Sequence, residues 1–204
     1  MAEIRLAVTP PDRLAVFRLR YAIYIEEMGR PLKKVNHADK VLVDSLDVPE
    51  AILLAAWHEG QIVGTARTNY LRNCDIGEYD EFYDLSALSA SDRAVTSIST
   101  RIMVRPDFRR TTLAAHLASG LYRQALADGI LADFCDCNEH LLPFFGGLGY
   151  RIHRADVRHA EYGCVTVLRL DMTDLNHLAA VRSPFRKVLR ERGMQLVAAD
   201  QQGN

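Results

Sequence analysis

Three things are scarce in these 204 residues, and each scarcity closes off a class of protein. No apolar run approaches the roughly 20 residues of a membrane-spanning helix, so no membrane partner is expected. Neither sign of charge is in excess, with 25 lysines and arginines against 26 aspartates and glutamates. No global field then draws the chain to nucleic acid or an anionic lipid surface, and an anionic ligand has to be held by a local arrangement of groups. Cysteine is limited to Cys74, Cys135, Cys137 and Cys164, with no CxxC pair. Cys135 and Cys137 alternate onto one face of an expected strand, so the thiols read as reduced lining of a core or cleft and no metal is expected. No cleavable leader pattern opens the sequence, and the expected location is the cytoplasm. Repeats, low-complexity tracts and strong linkers are missing as well.

What is present is an alternation of helix and strand in a chain long enough to bury one substantial core. Residues 3–10 (EIRLAVTP) alternate like an edge strand. Pro11 and Asp12 then open a helix whose apolar face is expected at Leu14, Phe17, Tyr21, Tyr24 and Met28. Residues 51–71 read as two strands joined at His58-Glu59-Gly60, with a possible bulge at Gly64. Residues 72–94 are polar and turn-rich, expected as loop with a short helix around Asp80–Leu88. A β-branched strand (AVTSISTRIMV), a helix over 110–128, the strand LADFCDCN and the short helix HLLPFFGGLGY follow, then strands near 151–154 and 164–171 and a C-terminal helix with a polar tail. The expected division is a domain over 1–172 and a helical extension over 173–204.

The stretch VRPDFRRTTLAA, residues 104–115, runs from strand end through a proline turn into a helix. A helix leaves its first amides unpaired and carries partial positive charge at that end, so the junction is suited to a phosphate. Small residues such as Ala114 let a ligand approach the backbone, and Arg109 and Arg110 add charge. Read blandly, the arginines are a solvated first turn and the small residues pack on a sheet.

Val104, Pro106, Arg109, Arg110 and Ala114 resemble the acyl-CoA pyrophosphate loop of the GNAT acyltransferase superfamily, usually VxPxxRxxGxG or A, with Thr112 replacing a glycine. Asn138, Phe144, Leu148, Gly149 and Tyr150 are similar to its NxxAxxFYxxLGF helix, where Phe145 replaces the tyrosine that often protonates the departing thiolate. A phenyl ring has no proton to give. Arg20 with Tyr24, Asp44 with Asp47, Arg67, and Arg101 in ISTRIMV resemble the branch containing acyl-homoserine-lactone synthases and N-acyl amino acid synthases, although the glutamate of that branch's ELSRFxV strand is missing. The resemblance covers roughly residues 10–152. It implies an α/β (α+β) fold with a central mixed, mostly antiparallel sheet flanked by helices, and an N-acyltransferase acting on a small amine. The implied donor is an acyl-CoA or acyl-carrier-protein phosphopantetheine thioester, held along the amides of Ile102, Met103 and Val104, by Arg109, Arg110, Thr111, Thr112, Leu113 and Ala114, and beside Asn138 and Phe145. A monomer or homodimer is expected, transferring directly in a ternary complex, because no cysteine sits in a nucleophile's setting. A ligand-sensing or partner-binding module with this fold, and a protein N-acetyltransferase, are the alternatives.

Attack by an amine on a thioester needs a neutral amine, a donor to the developing oxyanion and an exit for the thiolate. His140, with its pKa near neutrality, leads the proton-transfer candidates, beside Glu139, Asn138, Asp136 and, in the loop before the last strand, Tyr162 as a substitute for the acid absent at Phe145. Arg20, Tyr24, Glu27, Arg67, Ser97, Ser99 and Arg101 are candidates for the acceptor side. Asp44 and Asp47 are expected chiefly to pair the buried arginines. The basic residues of SPFRKVLRERG are expected to be a solvated face that could meet an acidic carrier protein.

Overall fold

Apolar and β-branched runs divide the chain into seven strands, and one sheet takes them all in the order β1-β2-β3-β4-β5-β7-β6. The computed structural model describes residues 2–32, 35–159 and 163–202. The strands are β1 (Glu3–Leu6), β2 (Ile52–His58), β3 (Gln61–Tyr70), β4 (Thr96–Val104), β5 (Ala132–Cys137), β6 (Arg151–His159) and β7 (Gly163–Asp171). All neighbours are antiparallel except β4 and β5. The expected edge strand, β1, does lie at the sheet's edge. The β2–β3 hairpin closes through Glu59 (φ 51°) and Gly60 (φ 75°), a twist-matched pair of left-handed turn residues. Its register slips between Ala56 and Trp57, beside Gly64 as the sequence suggested.

Helices cover both faces: α1 (Pro10–Tyr21), α2 (Tyr79–Phe82), α3 (Ala90–Ala94), α4 (Leu113–Ala127), α5 (Leu142–Leu148), α6 (Leu175–Ala180) and α7 (Phe185–Gln202). Leu113, Leu117 and Leu121 of α4 pack on Leu54, Val63 and Ala66 of the sheet. Along the same helix, Tyr122 stacks on Phe185 of α7 with centroids 4.3 Å apart, carrying the core on into the C-terminal residues.

Several boundaries differ from the expectation for identifiable reasons. The first helix continues beyond Tyr21 as a π-helical segment, Ala22–Glu27, closed by Met28 N–H donating to Ile23 O. Of the expected apolar face, Tyr21 is buried and Phe17 and Tyr24 pack half-buried on the core, while Leu14 and Met28 are exposed and Val16, Leu19 and Ile23 are buried in their place. The loop expected to hold one helix near 80–88 holds two short ones, because Asp84 turns left-handed (φ 60°) and Ser89 caps a fresh start by accepting from Asp92 N–H. Helix α4 begins at Leu113 rather than 110, since Thr111 Oγ1 takes the Leu113 amide and holds the preceding residues in a turn. Strand β6 runs to His159. Glu161 and Tyr162 lie outside the described residues.

Candidate active site

Strands β4 and β5 pair only at Thr96–Ile98 and Ala132–Phe134. Past Ile98 they diverge, and the gap between them is a cleft of about 380 Å³. Beside the gap β4 is bulged, with two residues between its pairings to Thr65 and Arg67 on β3 where β3 has one. Arg101 occupies the bulge at φ 58°. A non-glycine residue there costs on the order of 1–3 kcal/mol and persists where its surroundings overdetermine it. Here Asp44 accepts from Arg101 Nε at 2.9 Å and from Nη2 at 2.7 Å.

Asp44 belongs to a buried cluster of three guanidinium groups and two carboxylates. Arg67 reaches Asp44 at 2.5 Å and Asp47 at 2.7 Å, and Arg20 reaches Asp47 at 2.7 Å. Burial by itself would raise the Asp44 carboxyl, but Arg67 and Arg101 outweigh it and hold it well below the usual carboxylate range. Desolvation lowers Arg20 to about 10, which leaves it charged at neutral pH. The cluster ties four chain regions together: the loop carrying Asp44 and Asp47 receives Arg20 from α1, Arg67 from β3 and Arg101 from β4.

Of the acceptor-side candidates, Tyr24, Arg67, Ser99 and Arg101 line the cleft. Tyr24 lies between two guanidinium groups, Arg30 at 4.9 Å and Arg101 at 5.2 Å from its ring centroid. Arg20, Glu27 and Ser97 do not line it. Arg20 is buried behind, held by Asp47. Ser97 and Ser99 both donate to Asp133, the latter at 2.9 Å, and Tyr150 donates to the other oxygen at 2.6 Å. Burial lifts the Asp133 carboxyl to about 6 against the pull of those three hydroxyls.

On the donor side, Ile102, Met103, Val104 and Arg109 line the cleft. Arg109 is engaged: its two terminal nitrogens donate to Glu27 at 2.6 and 2.7 Å, and Nε donates to Val104 O. Arg110, Thr111 and Thr112 are exposed at the start of α4, Ala114 is half-buried, and the Leu113 side chain is buried in the core, so only its backbone faces that end. The helical ladder opens with His116 N–H onto Thr112 O, leaving the preceding amides of Ala114 and Ala115 outside it.

Among the proton-transfer candidates, Asn138 and the exposed His140 line the cleft, while Glu139 is exposed outside it. Phe145 also lines the cleft, its ring edge-on to Tyr150 with centroids 5.6 Å apart. Cys137 is buried against the cleft wall and Cys135 lies in the core, where burial pushes its thiol well up, as expected of inert thiols. Among the described residues no three histidine, cysteine or acidic side chains gather as a metal site.

Two cleft residues are not among the sequence candidates, Tyr79 and His159; His159 ends β6, is buried, and lines the cleft beside Tyr79 with ring centroids 6.2 Å apart. Sequence reasoning also missed Tyr83, which donates to Asp136 at 2.6 Å from 53 residues away. No local periodicity signals such a pair.

Residues 15–171 match the family model "N-acyl amino acid synthase FeeM". An L-ornithine N(alpha)-acyltransferase of Rhodobacter capsulatus is 31% identical over 139 residues, which are 64% of this chain and 51% of that protein. The chain thus spans about half the length of the curated relative it matches. Among solved structures, the CoA-dependent acyl-homoserine lactone synthase BjaI with SAM and isopentyl-CoA superposes with a TM-score of 0.68 at 20% identity, covering 90% of both chains. FeeM, an N-acyl amino acid synthase from uncultured soil microbes, gives 0.65 at 15% identity over 92% of this chain and 99% of that one. Escherichia coli ElaA gives 0.57 at 16% identity over 83% of this chain and 99% of its own. At these identities the superpositions speak to the fold alone. With the match over 15–171, the chain belongs to the N-acyl amino acid synthase FeeM family.

Proposed function

We propose that this protein moves an acyl group from a CoA or acyl-carrier-protein phosphopantetheine thioester to the amine of a small molecule, an amino acid being the favoured class, by direct attack in a ternary complex. One observation carries the reading: past Ile98 the β4 edge faces an open cleft, with the start of α4 beyond its far end. Pantetheine would add along such an edge through main-chain hydrogen bonds, and in this reading an amide of the Ile102 to Val104 stretch meets the thioester oxygen as charge develops. The phosphates take the unpaired amides at the start of α4, with Arg110 adding charge. Thr112 supplies an amide where a glycine is usual.

Tyr24, Arg67 and Arg101 form the acceptor side, where three guanidinium groups against two carboxylates leave excess positive charge for an acceptor's carboxylate. The catalytic unit is residues 1–172, with 173–204 as its helical extension, and the reaction takes place in the cytoplasm. An acidic carrier would meet the basic residues around Arg186 and Arg190.

Purified protein incubated with acetyl-CoA, long-chain acyl-CoA or acyl carrier protein, each with and without a pool of amino acids, tests the reading through thiol release and product mass. Amine-dependent release is expected. Binding without release from every donor would favour a thioester-sensing module, the reading that Phe145 in the cleft, with no hydroxyl to give, keeps in view.

A further inference from the structure

Of the described residues lining the cleft, only Asp136 is a carboxylate. Its environment differs from those of the other acids nearby. Asp44 and Asp47 are consumed by arginines, and Asp133 is enclosed by three hydroxyls. Asp136 is half-buried on β5, and among the described residues it forms no ion pair with lysine or arginine. Oδ1 accepts the hydroxyl of Tyr83, which is fully buried and packed among Leu46, Leu85 and Ile98. Oδ2 takes no hydrogen bond from a described residue. The carboxylate is therefore anchored on one oxygen by a rigid core tyrosine, and Asp136 lines the cleft together with Tyr79 and His159. A carboxylate that lines the cleft and is paired with no lysine or arginine among the described residues fits a ligand that brings its own positive charge.

We propose that Asp136 receives the ammonium group of the acceptor and takes its proton, with Tyr83 as the positioning residue that fixes the carboxylate; this rests on the acyltransferase reading above. The ammonium gives one proton to Asp136, which passes it to water at the cleft mouth. The neutral nitrogen then forms the C–N bond as the carbonyl π pair moves to oxygen. When the intermediate collapses the C–S bond breaks, the nitrogen's second proton goes to Asp136, and from there to the departing thiolate. Amide, thiol and one solvent proton result, and one carboxylate serves as base and then acid. An α-amino acid suits the cleft as a whole, with its amine toward Asp136 and its carboxylate toward the arginine cluster.

The test uses full-length protein, the donor that supports the fastest thiol release, and an amino-acid pool that includes L-ornithine. Asp136→Asn is expected to lower kcat/KM for the amine by about 10²- to 10⁴-fold with donor Kd unchanged, and Asp136→Glu to recover part of it. Tyr83→Phe removes a hydrogen bond that favours the ionised carboxylate, so the acidic limb of its pH profile should move to higher pH, whereas a purely structural defect would scale the profile without moving it. This second variant decides the matter if Asp136→Asn fails to fold. Asp136→Asn within about twofold of wild type, or an unmoved limb in Tyr83→Phe, overturns this assignment alone. No amine-dependent release by wild type from any donor overturns the acyltransferase reading and this assignment with it.

Discussion

Glu27 and Arg109, 82 residues apart, form a two-pronged ion pair at 2.6 and 2.7 Å that fastens the end of the first helical segment to the loop preceding α4. Both side chains are partly exposed, so the pair itself contributes at most about 1 kcal/mol to stability. Its greater effect is on charge, since it sets a carboxylate near the proposed phosphate site and occupies the arginine expected to serve there. Glu27→Gln should therefore tighten CoA binding about two- to fivefold at low salt, with the gain shrinking as ionic strength rises. Calorimetry at two salt concentrations checks this; unchanged affinity at both would place the phosphates away from Arg109.

Asp47 is fully buried and holds both Arg20 and Arg67 at 2.7 Å. Arg20 Nε and Nη2 already have no hydrogen-bond partner among the described residues, so Asp47→Ala would leave a buried guanidinium without its anion. Breaking one side of a buried ion pair costs about 3–5 kcal/mol. Urea unfolding measures the loss, and a value under about 1 kcal/mol would mean that water reaches Arg20.

The buried Asp133 carboxyl, lifted to about 6 by desolvation, makes stability fall as pH rises. Between about pH 4 and pH 6 the folded chain retains a proton that the unfolded chain has released, so each step up in pH favours unfolding, by up to about 3 kcal/mol in total. Asp133→Asn does not titrate, and the wild-type stability minus that of the variant should decline across this window and level off above it. A flat difference in paired unfolding curves would show the carboxyl titrating at its ordinary value.

Gly149, at the end of α5, has φ 113°, and a Cβ there would meet Leu178 Cδ2 at 2.6 Å. Gly149→Ala should cost about 2–4 kcal/mol through combined backbone strain and overpacking. Gly147, two residues earlier in the chain, has no atom of a described residue within 4 Å of such a Cβ. Gly147→Ala should be neutral or stabilise by up to about 1 kcal/mol, and thermal unfolding of the two variants separates space from helix propensity.

Local chemistry made much of the fold legible in advance. Alternating apolar residues marked β1, apolar and β-branched runs marked β2 to β5, the His58-Glu59-Gly60 turn joined β2 to β3, and Pro106 followed by Arg109 and Arg110 marked the turn into α4, because these depend on neighbours only a few positions away. The site was legible in its residue types and less so in its pairings. Arg101 was singled out, but not the left-handed bulge that aims it at Asp44, 57 residues away. Asp136 was one of several candidate bases, and its hydrogen bond from Tyr83, 53 residues away, was not legible. The face of the first helix was right at Tyr21 and off at Met28, which follows a π-helical segment whose wider turn changes the spacing on which periodicity depends.

The sequence by itself determined the order of strands and helices, the balance of charge and the set of side chains able to do acyl-transfer chemistry. Only the tertiary structure decided which acids neutralise which arginines and which one is left facing the cleft. Ion pairing and burial act through distance in space, and in a sheet where β4 lies between β3 and β5, residues separated by tens of positions become first neighbours.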